Sequence, residues 1–349
     1  MKLGILARHF CCHASRLATV ALVSMACGLT GTLANAQSGD LIAAAERGDL
    51  PAVNALLKSG ADVNAHEVVR PRMTKTTALI EASFKGHLEV VQALLAAKAD
   101  VNAKRGMRED DETALIEASA NGHLEVVQAL LAANADVDAK CCDKCCDGTT
   151  ALYQAVSNNH LDVVKALLAA KANPNPKSTV GGRSALMLAL SNDRWDMARV
   201  LLEAGADVNA ADKSGVTALM LAARENSPRS LAMVRALLAA HADVNGNFRG
   251  GATALGVASS TGSVEIVQAL LAANSWVDVN IKQRDGTTPL MNASANGRVE
   301  IVRLLLAAKA DVGTQDNAGK TALMLALQND HAEVAKLLTS APASVPAQK

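Results

Sequence analysis

Four cysteines crowd into the stretch "KCCDKCC": Cys141, Cys142, Cys145 and Cys146. Thiols at that density can close disulfides, ligate a soft metal, or cycle between dithiol and disulfide. Two strands turning across Asp143-Lys144 would set Cys142 opposite Cys145 and Cys141 opposite Cys146. Facing side chains of a hairpin lie near disulfide separation, so one or two intra-hairpin disulfides are the leading expectation. A metal site built from all four thiolates competes: Cys142-x-x-Cys145 supplies half of one, but zinc draws its ligands from two separated loops. A redox pair is a third reading, weakened because the βαβ pattern beside which C-x-x-C signals thioredoxin chemistry is missing. Intermolecular bridging is a fourth. Elsewhere the chain has no phosphate-cradling glycine loop, no H-E-x-x-H, no G-x-S-x-G and no Cys/His nucleophile arrangement. The expectation is a non-enzyme that needs no cofactor.

The choice among thiol chemistries depends on the compartment. Lys2, Arg8 and Arg16 make a positive start, Leu17 to Leu33 is mostly small and apolar, and Ala34-Asn35-Ala36 gives an A-x-A pattern. Residues 1–36 therefore read as a cleavable export signal. A membrane anchor is the competing reading, but Ser24, Gly28, Thr30, Gly31 and Thr32 interrupt the apolar run. Cys27, after Ser24-Met25-Ala26, only faintly resembles a lipoprotein site. Cleavage after Ala36 removes Cys11, Cys12 and Cys27 and leaves only the four clustered cysteines. It also leaves no membrane span, and it places the protein in the periplasm or outside the cell, where disulfides persist. The 349 residues carry no net charge. Without residues 1–36 the balance is 31 Lys and Arg against 34 Asp and Glu, too even for nucleic-acid binding.

Along the chain, one frame returns again and again. "TALIEASFKGHLEVVQALLAAKADVNA" (77–103) is followed by "TALIEASANGHLEVVQALLAANADVDA" (113–139), and later copies start at Thr150, Ser184, Thr217, Thr253, Thr288 and Thr321. A partial copy, 40–65, precedes them, making nine. The residue after each Thr or Ser falls at 78, 114, 151, 185, 218, 254, 289 and 322. Leu79 and Ala82 predict one short helix; Val90, Val91, Leu94 and Leu95 predict a second, opened by Glu89 in its first turn. Half the residues are apolar but only 2% are aromatic, which suits helices packed closely through small side chains.

T-A-L-x-x-A, G-H-L-E-V-V, A-L-L and G-A-D-V-N-A at a base period of 33 residues resemble ankyrin repeats. The resemblance runs from Asp40 to Leu338 and implies an all-α repeat solenoid of helix-turn-helix units with β-hairpin finger loops. The repeat domain is expected over 37–340 with the first and last units as caps, and the polar, Pro-bearing residues 341–349 read as a disordered tail. Ile80, Ile116, Tyr153, Met187, Met220, Gly256, Met291 and Met324 stand where the family's motif has histidine, a departure that swaps a polar link for apolar filling. Gly60 and Gly205 suit a left-handed cap after the second helix, whereas Lys98, Asn134, Lys171, His241, Asn274 and Lys309 replace that glycine elsewhere.

Insertions against the frame map to the fingers. Removing both cysteine pairs leaves "VDAKDKDGTTAL", so the cysteines are expected to project from the solenoid. Two other long fingers, 66–76 and 104–112, carry Arg70, Arg72, Lys75, Lys104, Arg105 and Arg108 with Val68, Val69, Met73 and Met107. They read as solvated loops or as contacts for an acidic partner region. "RENSPRSLAM" (224–233) is expected to bulge between two helices. His87, His123, His160 and His331 recur at one place per copy and read as structural. Trp195 takes the slot of Leu88 and reads as core.

The resemblance further implies that the concave face binds another protein. Its candidate residues are Phe84, Lys85, Asn121, Asn158, Asn192, Arg224, Glu225, Asn296 and Asn329 on first helices. Arg183, Phe248, Arg249, Arg284 and Lys320 on fingers join them, as does Trp276 in the expansion "NSWVDVN". The leading expectation is a monomeric exported scaffold of bacterial type, periplasmic if retained, that binds a protein partner. An effector acting on host proteins and a metal- or redox-responsive protein centred on the cysteine finger are the alternatives.

Overall fold

A computed structural model describes residues 39–69, 74–106, 112–141, 149–178, 181–246, 252–273 and 277–341. The chain divides into two compact units, Met1–Cys146 and Asp147–Lys349. Each is a stack of antiparallel helix pairs, an all-α repeat solenoid with small β fingers.

The first unit contains α1 (39–47), α2 (Leu50–Lys58), β1 (Glu67–Val69), β2 (Thr74–Thr76), α3 (Ala78–Lys85), α4 (Leu88–Ala96), β3 (Lys104–Arg105), β4 (Glu112–Thr113), α5 (Ala114–Asn121) and α6 (Leu124–Ala132). β1 pairs antiparallel with β2, Val68 facing Lys75 across the ladder, and β3 with β4, Arg105 facing Glu112. The second unit contains α7 (Ala151–Ser157), α8 (Leu161–Ala169), α9 (Ala185–Ser191), α10 (Trp195–Glu203), α11 (Ala218–Ala222) and α12 (Pro228–Ala239). It continues with α13 (Ala254–Thr261), α14 (Val264–Ala272), α15 (Pro289–Ala295), α16 (Val299–Ala307), α17 (Ala322–Gln328) and α18 (Ala332–Ser340). Among its described residues the fingers are reduced to single bridges, Lys177 with Ser184 and Ala211 with Thr217.

The recurring Thr or Ser fixes where each first helix begins. Thr77, Thr113, Thr150, Ser184, Thr217, Thr253, Thr288 and Thr321 all have extended backbone. Each hydroxyl accepts the N–H three residues on, as Thr217 does from Met220 at 3.3 Å. That supplies one of the donors a helix start leaves without a partner. The first helices then meet at alanine: Ala82, Ala118, Ala155, Ala189, Ala258 and Ala293 are all fully buried. Five second helices, α4, α6, α8, α14 and α16, contribute a Val or Ile, a Val and a Leu, as in Val126, Val127 and Leu130. The positions that replace the family's histidine are buried as expected from Ile80 to Met291. At α17 the pattern opens, and Met324 and Leu327 are 51% and 59% exposed.

Two polar devices tie one pair to the next, and a third closes the second helices. His87, His123 and His331 each place Nε2 about 3 Å from a carbonyl at the end of the preceding first helix: Glu46 O, Phe84 O and Ala295 O. The recurring histidine is structural, and Arg194 does the same work where the histidine is absent, bonding Val156 O and Ser157 O. Gly86 is required here twice over: its φ is +78°, and a Cβ would lie 2.5 Å from the His123 ring. The second device is an asparagine ladder. In the first unit Asn64 Oδ1 accepts the N–H of Asp100 and Asn102 Oδ1 that of Asp136. In the second, Asn175 takes Asp207, Asn209 takes Asp243, Asn245 takes Asp278 and Asn280 takes Asp311.

The third device closes the second helices. Lys98, Asn134, Lys171, His241 and Lys309 all adopt positive φ, between 62° and 66°. Around Lys98 the bonds run from Lys98 N to Leu95 O and from Ala99 N to Leu94 O, the doubled closure of a left-handed cap. These residues do occupy the glycine place, as their spacing implied. The lengthening at 224–233 does not simply bulge. It is absorbed at the start of α12, with Ser227 as cap and Pro228 in the first turn, giving 12 residues where most second helices have nine. Ser230 Oγ anchors it to Ala222 O and Glu225 O.

Candidate functional site

The surfaces that the repeats leave open are the ends of the first helices and the fingers. Lys85, Asn121, Asn158, Asn192, Arg224, Glu225, Asn296 and Asn329 are exposed, and Phe84 is half-buried with Lys85 Nζ 5.3 Å from its ring centroid. Several of the asparagines also have a local duty. Asn121, Asn192 and Asn296 donate to carbonyls four residues back, to Glu117 O, Leu188 O and Asn292 O, and Asn329 donates across to Ala295 O. They cap helix ends with the amide and leave the remaining polar edge outward.

In the second unit, Arg183 and Arg284 lie on fingers with Lys320, which is half-buried. Asp212, Asp285 and Asp316 each open a turn and spend an oxygen on it. Asp212 accepts from the N–H groups of Ser214 and Val216, and Asp316 from those of Ala318 and Lys320. Asp285 accepts from the hydroxyl and N–H of Thr287, which holds its carboxyl below the usual range. The carboxylates thus build the turns, while among the described residues Arg183 makes a single ion-pair contact, 3.7 Å from Asp212. Phe248, Arg249 and Trp276 lie outside the described residues.

The first unit holds a feature the sequence did not reveal. Arg105, expected on a solvated or partner-facing finger, is 6% exposed. β3 turns its side chain inward, between α3 and α5. Nη1 donates to Glu117 Oε1 at 2.5 Å and Nη2 to Glu81 Oε1 at 2.6 Å, with Glu112 Oε2 at 3.8 Å from Nη1. The Phe84 ring lies 5.9 Å from the guanidinium carbon. Arg105 Nε is buried without an acceptor. Three carboxyls surround one cation, and Glu81 and Glu117 are each 6% exposed. Burial pushes Glu117 up to about 8, helped by a hydrogen bond with Glu112 and the charges of Glu112 and Glu81, and opposed by Arg105. The available signal was Glu81 and Glu117 at one place in two successive copies, where later copies have Gln154, Leu188, Leu221, Val257, Asn292 and Leu325. The remaining basic residues of these two fingers divide. Lys104 is exposed, whereas Arg70, Arg72 and Arg108 lie outside the described residues.

The cysteine finger is also corrected in one respect. Cys141 does not project: it is 4% exposed, at the base of its finger just after Lys140. Cys142, Cys145 and Cys146, and with them the expected pairing, lie outside the described residues. Among the described residues no cluster of three His, Cys, Asp or Glu side chains is arranged to hold a metal ion, and no helix is long and apolar enough to cross a membrane.

A family model described as ankyrin repeats, in three copies, matches residues 41–141, 136–212, 210–282 and 272–349. A search of curated proteins gives no match. Hydroxyl-capped first helices, left-handed closures of the second helices and fingers between them run through the same residues that the family model covers, and the chain belongs to the ankyrin-repeat family.

Proposed function

We propose that the chain is a non-enzymatic scaffold that binds another protein through the first-helix ends and fingers. The observation that carries this reading is the division of each first helix. One face is fully buried at alanine, while the residues closing the helix, Asn158, Asn192, Asn296 and Asn329, stand exposed at equivalent places. Ankyrin repeats are in general protein-interaction modules, which supports the same conclusion. A preformed array of this kind binds without ordering a new segment, so little conformational entropy opposes capture.

The site of action we propose is the periplasm or the exterior, reached through removal of residues 1–36; the A-x-A pattern at Ala34 to Ala36 supports it. We test the binding reading with Arg224→Glu combined with Arg284→Glu, two exposed cations of the second unit. Crosslinking in the native compartment, followed by mass spectrometry, identifies partners of the unaltered chain. The double variant should keep its circular dichroism and lose at least one of them. A variant that captures the same set in the same amounts refutes this surface. The mass of the mature N-terminus reports on export in the same sample.

A further inference from the structure

We propose that the β3–β4 finger of the first unit is a pH-responsive element. Glu117, packed with Glu81 and Glu112 around the guanidinium of Arg105, keeps its proton in the closed finger, and the finger comes away from α3 and α5 more readily as that proton is drawn off. The proposal concerns the finger's own opening and holds whether or not the finger meets a partner.

The geometry sets up the imbalance. Arg105 brings one positive charge and Glu81, Glu112 and Glu117 three carboxyls. The side chains of Arg105, Glu81 and Glu117 are 7%, 9% and 8% exposed, and only Glu112, at 27%, reaches water to any extent. Full ionisation would leave two uncompensated negative charges in a space nearly closed to solvent. Carboxyls crowded around one cation in a buried site do not all ionise at the usual pH, and Glu117, which burial and its neighbours raise, is the one that keeps its proton. Glu117 and Glu112 are a hydrogen-bonded pair, across the contact between β4 and α5.

The surroundings offer little further compensation. On α3, Lys85 is turned to Glu46 at 3.7 Å and lies over the Phe84 ring. On β3, Lys104 is exposed. α5 contributes Glu117 alone, and the ionisable residue of α6's first turn, Glu125, is exposed. β2, which packs beside β3, brings the buried Thr76 and has Lys75 as its one ionisable residue. Among the described side chains Arg105 is therefore the cation that faces the pair, and two of its N–H groups already serve Glu81 and Glu117.

The sign follows from proton counting. In the closed finger Glu117 titrates near 8; once the finger opens it returns to its ordinary value of 4.5. Between those two values the closed state binds a proton that the open state has lost, so opening is favoured as pH rises. One proton gives about a tenfold rise in the opening constant per pH unit. Between about pH 5.5 and 7.5 the finger should open roughly 100-fold more readily, levelling off as pH passes the closed-state value.

Hydrogen–deuterium exchange on the full chain tests this, read from peptides covering 104–106 and 112–117 and corrected for the intrinsic rate at each pH. The logarithm of the opening constant in the unaltered protein should rise with pH at a slope near one. Glu117→Gln keeps an acceptor for Arg105 and supplies a permanent donor to Glu112, so its slope should fall near zero. Glu112→Gln removes the neighbouring charge but leaves the burial, so its slope should level off at a lower pH than in the unaltered protein. Glu125→Gln should leave the profile intact. A flat profile in the unaltered protein, or a full slope retained in Glu117→Gln, overturns the proposal. If Glu117→Gln does not fold, Glu112→Gln decides the matter alone, and a levelling point that does not move overturns it.

Discussion

Three lysines sit where the backbone favours glycine, and replacing them should strengthen the fold. Lys98, Lys171 and Lys309 have φ of 64°, 66° and 65°, and all three are exposed. Among the described residues none forms an ion pair, so little is lost with the side chain. A left-handed conformation costs an L-residue about 1 kcal/mol relative to glycine. The extra freedom that glycine has in the unfolded chain offsets about 0.5 kcal/mol of that gain. The net is about 0.5 kcal/mol per site, and the sites, in three separate helix ends, should add. The triple variant Lys98→Gly, Lys171→Gly, Lys309→Gly should therefore gain about 1.5 kcal/mol, a rise of roughly 3–6 °C in Tm. The reciprocal change isolates the backbone contribution. Gly205 has φ of +83°, and a Cβ there meets nothing within 4 Å, so Gly205→Ala adds strain without a clash. It should lower Tm. Thermal and urea unfolding followed by circular dichroism measure both. A triple variant no more stable than the parent, or a stabilising Gly205→Ala, refutes the reasoning that left-handed strain is stored at these caps.

Two further outcomes follow from the packing and the ladder. Asn209→Ala removes the acceptor for Asp243 N (2.8 Å) and the donor to His241 O (3.2 Å). It should cost about 1–2 kcal/mol in urea unfolding, and Asn209→Asp, which keeps the acceptor, should cost less. Leu190→Ala, at 2% exposure, should cost about 2–5 kcal/mol, whereas Leu327→Ala at the equivalent place, 59% exposed, should cost under about 1 kcal/mol.

The backbone plan was legible because its signals are local and repeated. A Thr or Ser before A-L-x-x-A caps a helix by a bond spanning three residues, and Val90, Val91 and Leu94 define a buried stripe by spacing alone. Lys98 and Lys309 were readable as left-handed because the copies align them with Gly60 and Gly205. Arg105 was not readable in this way. Its burial depends on Glu81, 24 residues earlier, and Glu117, 12 later, meeting one finger from two helices. Composition near "KRGMREDDE" points to solvent, and only the packing of neighbouring copies reverses that. Cys141 failed for a simpler reason: it stands directly after Lys140, at the base of its finger, where the side chain is still buried. The exposed asparagines stand at first-helix ends, where their amides also close the helices, a duty that residue type alone does not announce.

The asparagine ladder makes this architecture divisible. Each rung joins an amide oxygen to the main chain of the adjacent pair only, and the same rung recurs with the same geometry, 2.8 Å at Asn209, Asn245 and Asn280. Excising a stretch that runs from one rung to the next, such as 210–245, would bring Asn209 to the place of Asn245 and offer its oxygen to Asp278. The cut surfaces on either side are alike, so a whole pair can leave or enter without new joints being invented. Length in such a molecule is a quantity that can change by increments, while every remaining joint keeps its fit.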